Sequence, residues 1–127
     1  MLKAHKNKKG ENMSFYWGMF KDSEYNGLGT RMWTNKMIYE GLFLNGKLNG
    51  NGILKDTNGD KYVGCFKDGK KHGLGMFFGH DGIKWEMNYD LGKKNGPAAI
   101  FFPDNSKMEF NWKDDRVESD IIYKNKE

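Results

Sequence analysis

The chain has 127 residues, with 21 Lys or Arg against 17 Asp or Glu and a formal net charge of +4. This length is enough for one domain. Aromatic residues make up 15% and glycine fills 17 positions without falling at every third residue, which excludes a disordered chain and a collagen. There is no run of about 18 apolar residues and no apolar secretory core, so neither a transmembrane segment nor export is expected. A cytoplasmic location is therefore expected.

The first 14 residues form a basic tail, which is predicted to be disordered on its own. They carry four lysines and one glutamate. One hypothesis is a weak contact with anionic lipid, at about 1 kcal/mol per lysine near a membrane. Contact with an acidic protein or nucleic-acid surface, or simple solvation, are the alternatives. Specific nucleic-acid recognition is not expected, since only two of the 21 basic residues are Arg. The tail lysines are Lys3, Lys6, Lys8 and Lys9.

A 23-residue period runs through the body of the chain. An aromatic ring follows four residues after each repeat start, and a glycine follows two residues after the first three starts. A fixed period of this length indicates a repeat protein. The repeats are expected to fill residues 15–112, and residues 113–127 are expected to form a cap or tail. The repeat starts are Tyr16, Tyr39, Tyr62, Trp85 and Met108.

Each repeat is predicted to fold as a β-hairpin. Segments 39–43 and 62–66 alternate with period two, which is the pattern of a strand. Segments 45–50 and 68–73 are rich in Asn, Asp, Gly and Lys, and are typical of turns. Apolar segments such as 52–55 then provide the returning strand. The fold predicted is all-β, an antiparallel meander of about nine or ten short strands.

The units YEGLFLNGKLNGNGILKDTNGDK and YVGCFKDGKKHGLGMFFGHDGIK resemble MORN repeats (membrane occupation and recognition nexus). The resemblance extends over about residues 15–112, with a degenerate fifth repeat from Met108. It implies a single-layer solenoid and a non-enzymatic scaffold subunit. Proteins made of few such repeats commonly serve in ciliary and flagellar axonemes, radial spokes among them, or in other cytoskeletal complexes. The alternatives are a membrane-contact adaptor that uses the basic tail, and an accessory subunit of an enzyme complex.

One face of the predicted sheet carries a ladder of rings and glycines. In a strand, residues two apart share a face, so each repeat places two rings on either side of a glycine. A ring from a neighbouring strand is expected to cover that bare backbone. The ladder is interpreted as the protein's own core, because every repeat needs one, and a binding surface is the alternative. Its members are Tyr16, Gly18, Phe20, Tyr39, Gly41, Phe43, Tyr62, Gly64, Phe66, Trp85 and Tyr89.

The opposite face is predicted to bind a partner protein. It also carries apolar residues, which a single-layer sheet does not cover with a second layer. Phe78 and Phe101 are 23 residues apart and are expected to be neighbours along the sheet. Scattered surface apolar residues are the alternative interpretation. The predicted partner-binding residues are Met19, Met32, Leu42, Ile53, Met76, Phe78 and Phe101.

Catalysis finds little support in the sequence. Cys65 is the only cysteine, so it forms neither an intramolecular disulfide nor a cysteine-based metal site. A Cys65–His72 dyad across a hairpin is conceivable, but a nucleophilic cysteine also needs an orienting group. The sequence therefore predicts no enzyme activity, no catalytic residue, no metal and no cofactor.

Overall fold

The computed structural model describes residues 2–6, 13–118 and 121–125, with side chains from residue 14 onward in these ranges. Thirteen strands form one sheet in this part of the chain. They are β1 Leu2–Lys6, β2 Met13–Lys21, β3 Glu24–Met32, β4 Ile38–Leu44, β5 Lys47–Lys55, β6 Lys61–Lys67, β7 Lys70–Phe78, β8 Lys84–Asp90, β9 Lys93–Lys94, β10 Gly96–Phe101, β11 Lys107–Lys113, β12 Arg116–Val117 and β13 Ile122–Lys124.

Chain neighbours are also sheet neighbours. The order runs β1 to β8, then β10, β11 and β12, with β9 added beside β8 and β13 beside β11. Every pairing is antiparallel. This confirms the all-β, single-layer antiparallel meander. The expected nine or ten strands are exceeded because β1 extends the first edge, and the returning halves of the last repeats are split into short pieces.

The repeat period is visible in the backbone register of all five units. In each unit, the first position pairs with the residue 15 positions later, including the fifth unit, which has lost most of its motif residues. Residues 116–117 and 122–124, expected as a cap or tail, complete that fifth hairpin by pairing with β11. The five pairs are Tyr16 with Arg31, Tyr39 with Leu54, Tyr62 with Phe77, Trp85 with Ile100, and Met108 with Tyr123.

A bulge and a tight turn shape each regular hairpin. In the second unit, Gly41 pairs with Gly52, but the next pair is Phe43 with Leu48, so the register shifts between them. Gly50 lies inside this shift with φ of 95°, a left-handed conformation that glycine adopts at low cost. Such a bulge bends the strand and increases its twist. Register shifts of this kind are present in the first three hairpins, and each one bends the sheet locally.

The hairpin turns are linked from one repeat to the next by backbone hydrogen bonds. The Gly46 N–H donates to the Tyr25 carbonyl oxygen at 2.9 Å, and the Gly69 N–H donates to that of Leu48 at 2.9 Å. The same bond recurs from Gly92 and from Asp115, to carbonyl groups 21 residues earlier. Each turn is thus fixed against the returning strand of the preceding unit.

The N-terminal segment differs from the expected disordered tail where the structure describes it. Residues 2–6 form β1, which pairs with β2 from Met13 to Trp17. Residues 1 and 7–12 lie outside the described ranges. Among the described residues, no helix has the length and apolar character needed to cross a membrane.

Candidate interaction surfaces

The ring ladder forms the core of the protein. Residues directly opposite each other in an antiparallel pair share a face, so the register assigns every strand position to one side of the sheet. We call the side that carries Tyr39 the inner face and the other side the outer face. Tyr39 has no exposed surface, and Phe43 and Phe66 are also buried. The inner face therefore holds the buried core.

Each of the first three tyrosines lies over glycines of its own repeat. A Cβ atom placed on Gly52 would overlap the Tyr39 ring, and one placed on Gly75 would overlap the Tyr62 ring. The ring that covers Gly41 and Gly64 comes from two residues earlier in the same strand. The expectation of a ring from a neighbouring strand is therefore wrong, because the tyrosine folds back along its own strand and reaches across to the paired glycine.

Hydrogen bonds hold these tyrosines in place. The Tyr39 hydroxyl donates to the Leu42 carbonyl oxygen at 2.9 Å and lies 3.4 Å from that of Asn51. Tyr16 makes the same bond to Met19 at 2.6 Å. Burial raises the pKa of Tyr39 to about 12 and also raises the pKa of Tyr62. Both hydroxyls thus remain neutral donors at any physiological pH.

Edge-to-face ring contacts connect one repeat to the next. The ring centroids of Tyr16 and Phe43 are 5.1 Å apart, and those of Tyr39 and Phe66 are 5.2 Å apart, both nearly perpendicular. Edge-to-face pairs at this distance contribute about 0.5–1.5 kcal/mol beyond their buried area. The rings are thus an internal ladder, as a core requires.

The predicted partner-binding residues lie on the outer face, as the register places them. Met19 and Leu42 are exposed, and the other five are partly exposed. Phe78 and Phe101 both pair with Lys84, so one strand separates the two rings. The two residues are therefore separated by Lys84 and are not direct neighbours as expected. The reason is that β8, the first strand of the next repeat, lies between the returning strands β7 and β10.

Three of the most exposed large apolar residues were missed in the sequence. Trp17, Leu28 and Leu74 are 60%, 63% and 56% exposed, and all belong to the outer face. Leu28 pairs directly with Leu42. Leu28 and Leu74 each lie between the two glycines of a Gly-x-Gly segment, and because those glycines face inward, the residue between them must face outward. That signal was available in the sequence.

The inner face also carries cations that the sequence analysis assigned to turns. Lys71 and Lys94 occupy the same repeat position, 23 residues apart, and both lie beside aromatic rings. A cavity of about 350 Å³ and a second of about 280 Å³ open on this side of the sheet, and Lys71 lines both.

Cys65 and His72 do not form a dyad. The Cys65 thiol donates to Asn51 Oδ1 at 2.8 Å, and His72 Nδ1 accepts from the Leu91 N–H at 3.1 Å. Both groups are engaged with other partners. Within the described residues, no group of three or more His, Cys, Asp or Glu side chains is placed to hold a metal ion.

The tail lysines proposed for lipid contact are only partly covered by the structure. Lys3 and Lys6 belong to β1, where the backbone alone is described, and Lys8 and Lys9 lie outside the described residues.

The MORN repeat family model matches three consecutive segments, residues 16–38, 39–61 and 62–84. The chain belongs to the MORN repeat family. These repeats are a non-enzymatic module that mediates protein or lipid interactions. The matched segments begin at three of the five repeat starts read from the sequence, and the two remaining MORN-like units share their register. No curated protein matches this MORN-repeat chain.

Proposed function

We propose that this MORN-repeat protein is a non-enzymatic scaffold subunit that docks onto a partner protein through the outer face of its sheet. The observation that supports this most is the group of exposed apolar side chains on β2, β3 and β4. Trp17, Met19, Leu28 and Leu42 all belong to the outer face, over which the described residues place no second layer. A contiguous exposed patch of this kind is typical of an interaction site.

The setting we propose is a ciliary or flagellar axonemal complex, such as a radial spoke, or another cytoskeletal complex. This part rests on the resemblance to small proteins built of a few MORN repeats and little else. The remaining predicted contacts, from Ile53 to Phe101, would extend the docking surface along the sheet. Repeats of this kind suit such a role because they offer a long surface on a small chain.

The docking surface is tested with matched leucine variants in the source cells. Leu28→Ser with Leu42→Ser should release the tagged protein from its high-molecular-weight complex. Leu91→Ser is the control, since Leu91 is also exposed but lies in a hairpin turn. Circular dichroism should show the same strand content in both variants. If the double variant stays in the complex like the parent protein, the outer face is not the docking surface.

The setting has its own readout. Fractionation of the source cells should place the parent protein with detergent-resistant axonemes or cytoskeleton, and the double variant in the supernatant. If the parent protein is instead extracted completely, the cytoskeletal setting is wrong even where the docking surface is right.

The basic N-terminal segment favours a second candidate function, a membrane-contact adaptor. Four lysines and one glutamate precede residue 15. Changing all four lysines to Gln should then abolish cosedimentation with anionic vesicles, whereas Leu28→Ser should not. Equal sedimentation before and after the lysine changes would contradict this function.

A further inference from the structure

The two ends of the strands differ in charge. The hairpin turns lie at one end of the sheet, the hairpin end, and the loops that join successive hairpins lie at the other, the loop end. Three central turn segments hold six lysines and two aspartates, whereas three loop segments of the same length hold four lysines and four aspartates. Positive charge is therefore concentrated at the hairpin end. The turn segments are 44–50, 67–73 and 90–96, and the loop segments are 55–61, 78–84 and 101–107.

Four of these six lysines form a row on the outer face. Lys67 and Lys70 pair directly with each other, and Lys47 and Lys93 hold the position of Lys70 in the hairpins before and after it. All four side chains are exposed. Neighbouring strands are about 4.8 Å apart, so the row from β5 to β9 is about 19 Å long. We call Lys47, Lys67, Lys70 and Lys93 the hairpin strip.

The lysines of the hairpin strip have no ion-pair partner among the described residues. The carboxylates in the same turns are Asp68 and Asp90, and neither is within ion-pair distance of a strip lysine. Lys67 and Lys70 are direct cross-strand neighbours, and like charges in that position repel each other. An anion bound at the strip would relieve that repulsion. The lysines that do form ion pairs lie at the loop end and are Lys55, Lys107 and Lys124.

Acidic turns flank the hairpin strip on both sides. The first hairpin turn, within residues 21–27, holds one lysine and two acidic residues, and the fifth, within residues 113–118, holds two basic and three acidic residues. Both turns lie at the same end of the sheet as the strip. An anionic ligand is therefore repelled beyond either end of the strip. At about 3.3 Å per residue, the strip has room for about six residues of an extended chain.

We propose that the hairpin strip binds a short, extended segment of the partner protein that is rich in glutamate or aspartate. The strip and the apolar patch around Leu28 and Leu42 belong to the same face, so one partner can contact both. The acidic chemistry rests on the strip alone. That the segment belongs to the docking partner rests on the proposed function.

The structure favours an acidic protein segment over a nucleic acid or a membrane. Sequence-independent binding of a single strand combines positive charge with aromatic side chains on which the bases stack. The rings nearest to the strip, Phe43, Phe66 and Tyr89, all belong to the inner face. A flat anionic membrane along the hairpin end would also meet the acidic turns on both sides of the strip. A short segment avoids them.

The test uses fluorescently labelled hexaglutamate, acetyl-EEEEEE-amide, titrated with the full chain by anisotropy at low salt, because salt screens exposed charges. Lys67→Gln with Lys70→Gln should weaken binding about tenfold. Lys61→Gln with Lys84→Gln is the matched control, since it removes the same charge from two exposed outer-face lysines at the loop end. The control should change the affinity by less than about twofold. Circular dichroism should show the same strand content in both double variants.

Three outcomes would overturn the proposal. The first is no binding of hexaglutamate at protein concentrations up to about 1 mM. The second is an equal loss of affinity in the two double variants, which would mean that only the net charge matters. The third is binding of an oligothymidine or of phosphatidylglycerol vesicles that depends on Lys67 and Lys70 while hexaglutamate does not bind.

A charge-reversed variant keeps the test valid if the strip variants are hard to compare. Lys67→Glu with Lys70→Glu should bind labelled hexalysine more tightly than the parent protein does, and this requires only a folded chain. The absence of any gain would count against the strip.

The docking function and the hairpin strip can fail separately. Hexaglutamate binding needs no partner protein, so Leu28→Ser with Leu42→Ser should leave it unchanged. If the leucine variant leaves the complex but hexaglutamate does not bind the parent protein, the docking surface stands and the strip is wrong. In the source cells, Lys67→Gln with Lys70→Gln should also weaken retention in the complex. Full retention of that variant would show that the segment does not belong to the docking partner.

Discussion

The third and fourth repeats follow the same backbone path with different cores. In the third repeat, Tyr62 covers Gly64 and Gly75, and a Cβ at either glycine would overlap its ring. In the fourth repeat, the positions equivalent to these two glycines hold Met87 and Ala98, and both side chains are buried. Both repeats nonetheless pair with the same offset of 15 residues.

The comparison shows that the space beside the paired strands must be filled, but not by a tyrosine. Trp85 at the start of the fourth repeat remains partly exposed and packs against a buried cluster of Met87, Ala98 and Phe110. The core is thus packed in two ways. Tyr62, Gly64 and Gly75 of the third repeat are replaced together in the fourth repeat, by Trp85, Met87 and Ala98.

The largest effect is expected from Gly75→Ala. The new methyl group would overlap the buried Tyr62 ring, so the ring must leave its place. The cost should approach that of truncating a buried aromatic residue, about 4 kcal/mol of unfolding free energy. Urea denaturation followed by circular dichroism measures it.

The fourth repeat supplies the control for that change, since Ala98 is already its native residue. Tyr62→Leu should rescue Gly75→Ala, because the smaller side chain leaves room for the methyl group. A double-mutant cycle should therefore show strong coupling between the two positions. Simple additivity would mean that the ring does not lie over Gly75.

Met87→Ala tests the other packing and should cost about 3 kcal/mol, the usual range for truncating a buried methionine. The side chain is only 2% exposed and packs with Ala98 and Phe110. Hydrogen exchange should show the loss in β8, β10 and β11 before it reaches β4. Uniform loss across the sheet would indicate that the repeats unfold as one unit.

Tyr39→Phe should cost about 1 kcal/mol, because it removes the hydrogen bond to the Leu42 carbonyl oxygen and keeps the ring. Equilibrium urea unfolding measures the difference. Tyr123→Phe is the matched control, since Tyr123 belongs to the fifth repeat and is half exposed. An equal cost for both variants would show that the buried hydroxyl adds nothing specific.

The smallest effect is a pH dependence of the melting temperature that comes from the loop between β5 and β6 and the loop between β7 and β8. Asp60 accepts hydrogen bonds from the His80 backbone N–H at 2.8 Å and from its ring at 2.7 Å. The backbone bond, followed by the ring, lowers the pKa of Asp60, and the bond to Asp60 raises the pKa of His80. The equivalent positions one repeat later are Ile83 and Pro103, so no such link joins the next pair of loops.

The sign follows from the two shifts. The Asp60 contribution is present above its ordinary value of 3.8 and is lost as pH falls through the lowered pKa. The His80 contribution is present below its ordinary value of 6.5 and is lost as pH rises through the raised pKa. The melting temperature of the parent minus that of His80→Gln should therefore be largest between these values. A difference that does not vary with pH would contradict the ion pair.

The repeat columns predicted the meander because spacing fixes which residues share a face. They could not predict which ring covers Gly64, since that depends on the side-chain rotamer of Tyr62. The inward position of Lys71 escaped prediction because segment 68–73 reads as a turn. In the structure the turn is confined to Asp68 and Gly69, and Lys71 already pairs with Phe66, which places it on the inner face. Composition marks a loop, but it does not show where the loop ends.

The hydrogen bonds between successive hairpin turns also bear on how the protein is made. Each joins residues only 21 positions apart, and every strand pairing in the described residues joins strands that are consecutive in the chain or separated by one two-residue strand. Contacts this local favour fast folding. A hairpin emerging from the ribosome finds its docking edge already formed by the hairpin before it. We therefore expect the sheet to grow in step with translation, one unit at a time, without waiting for the C-terminus.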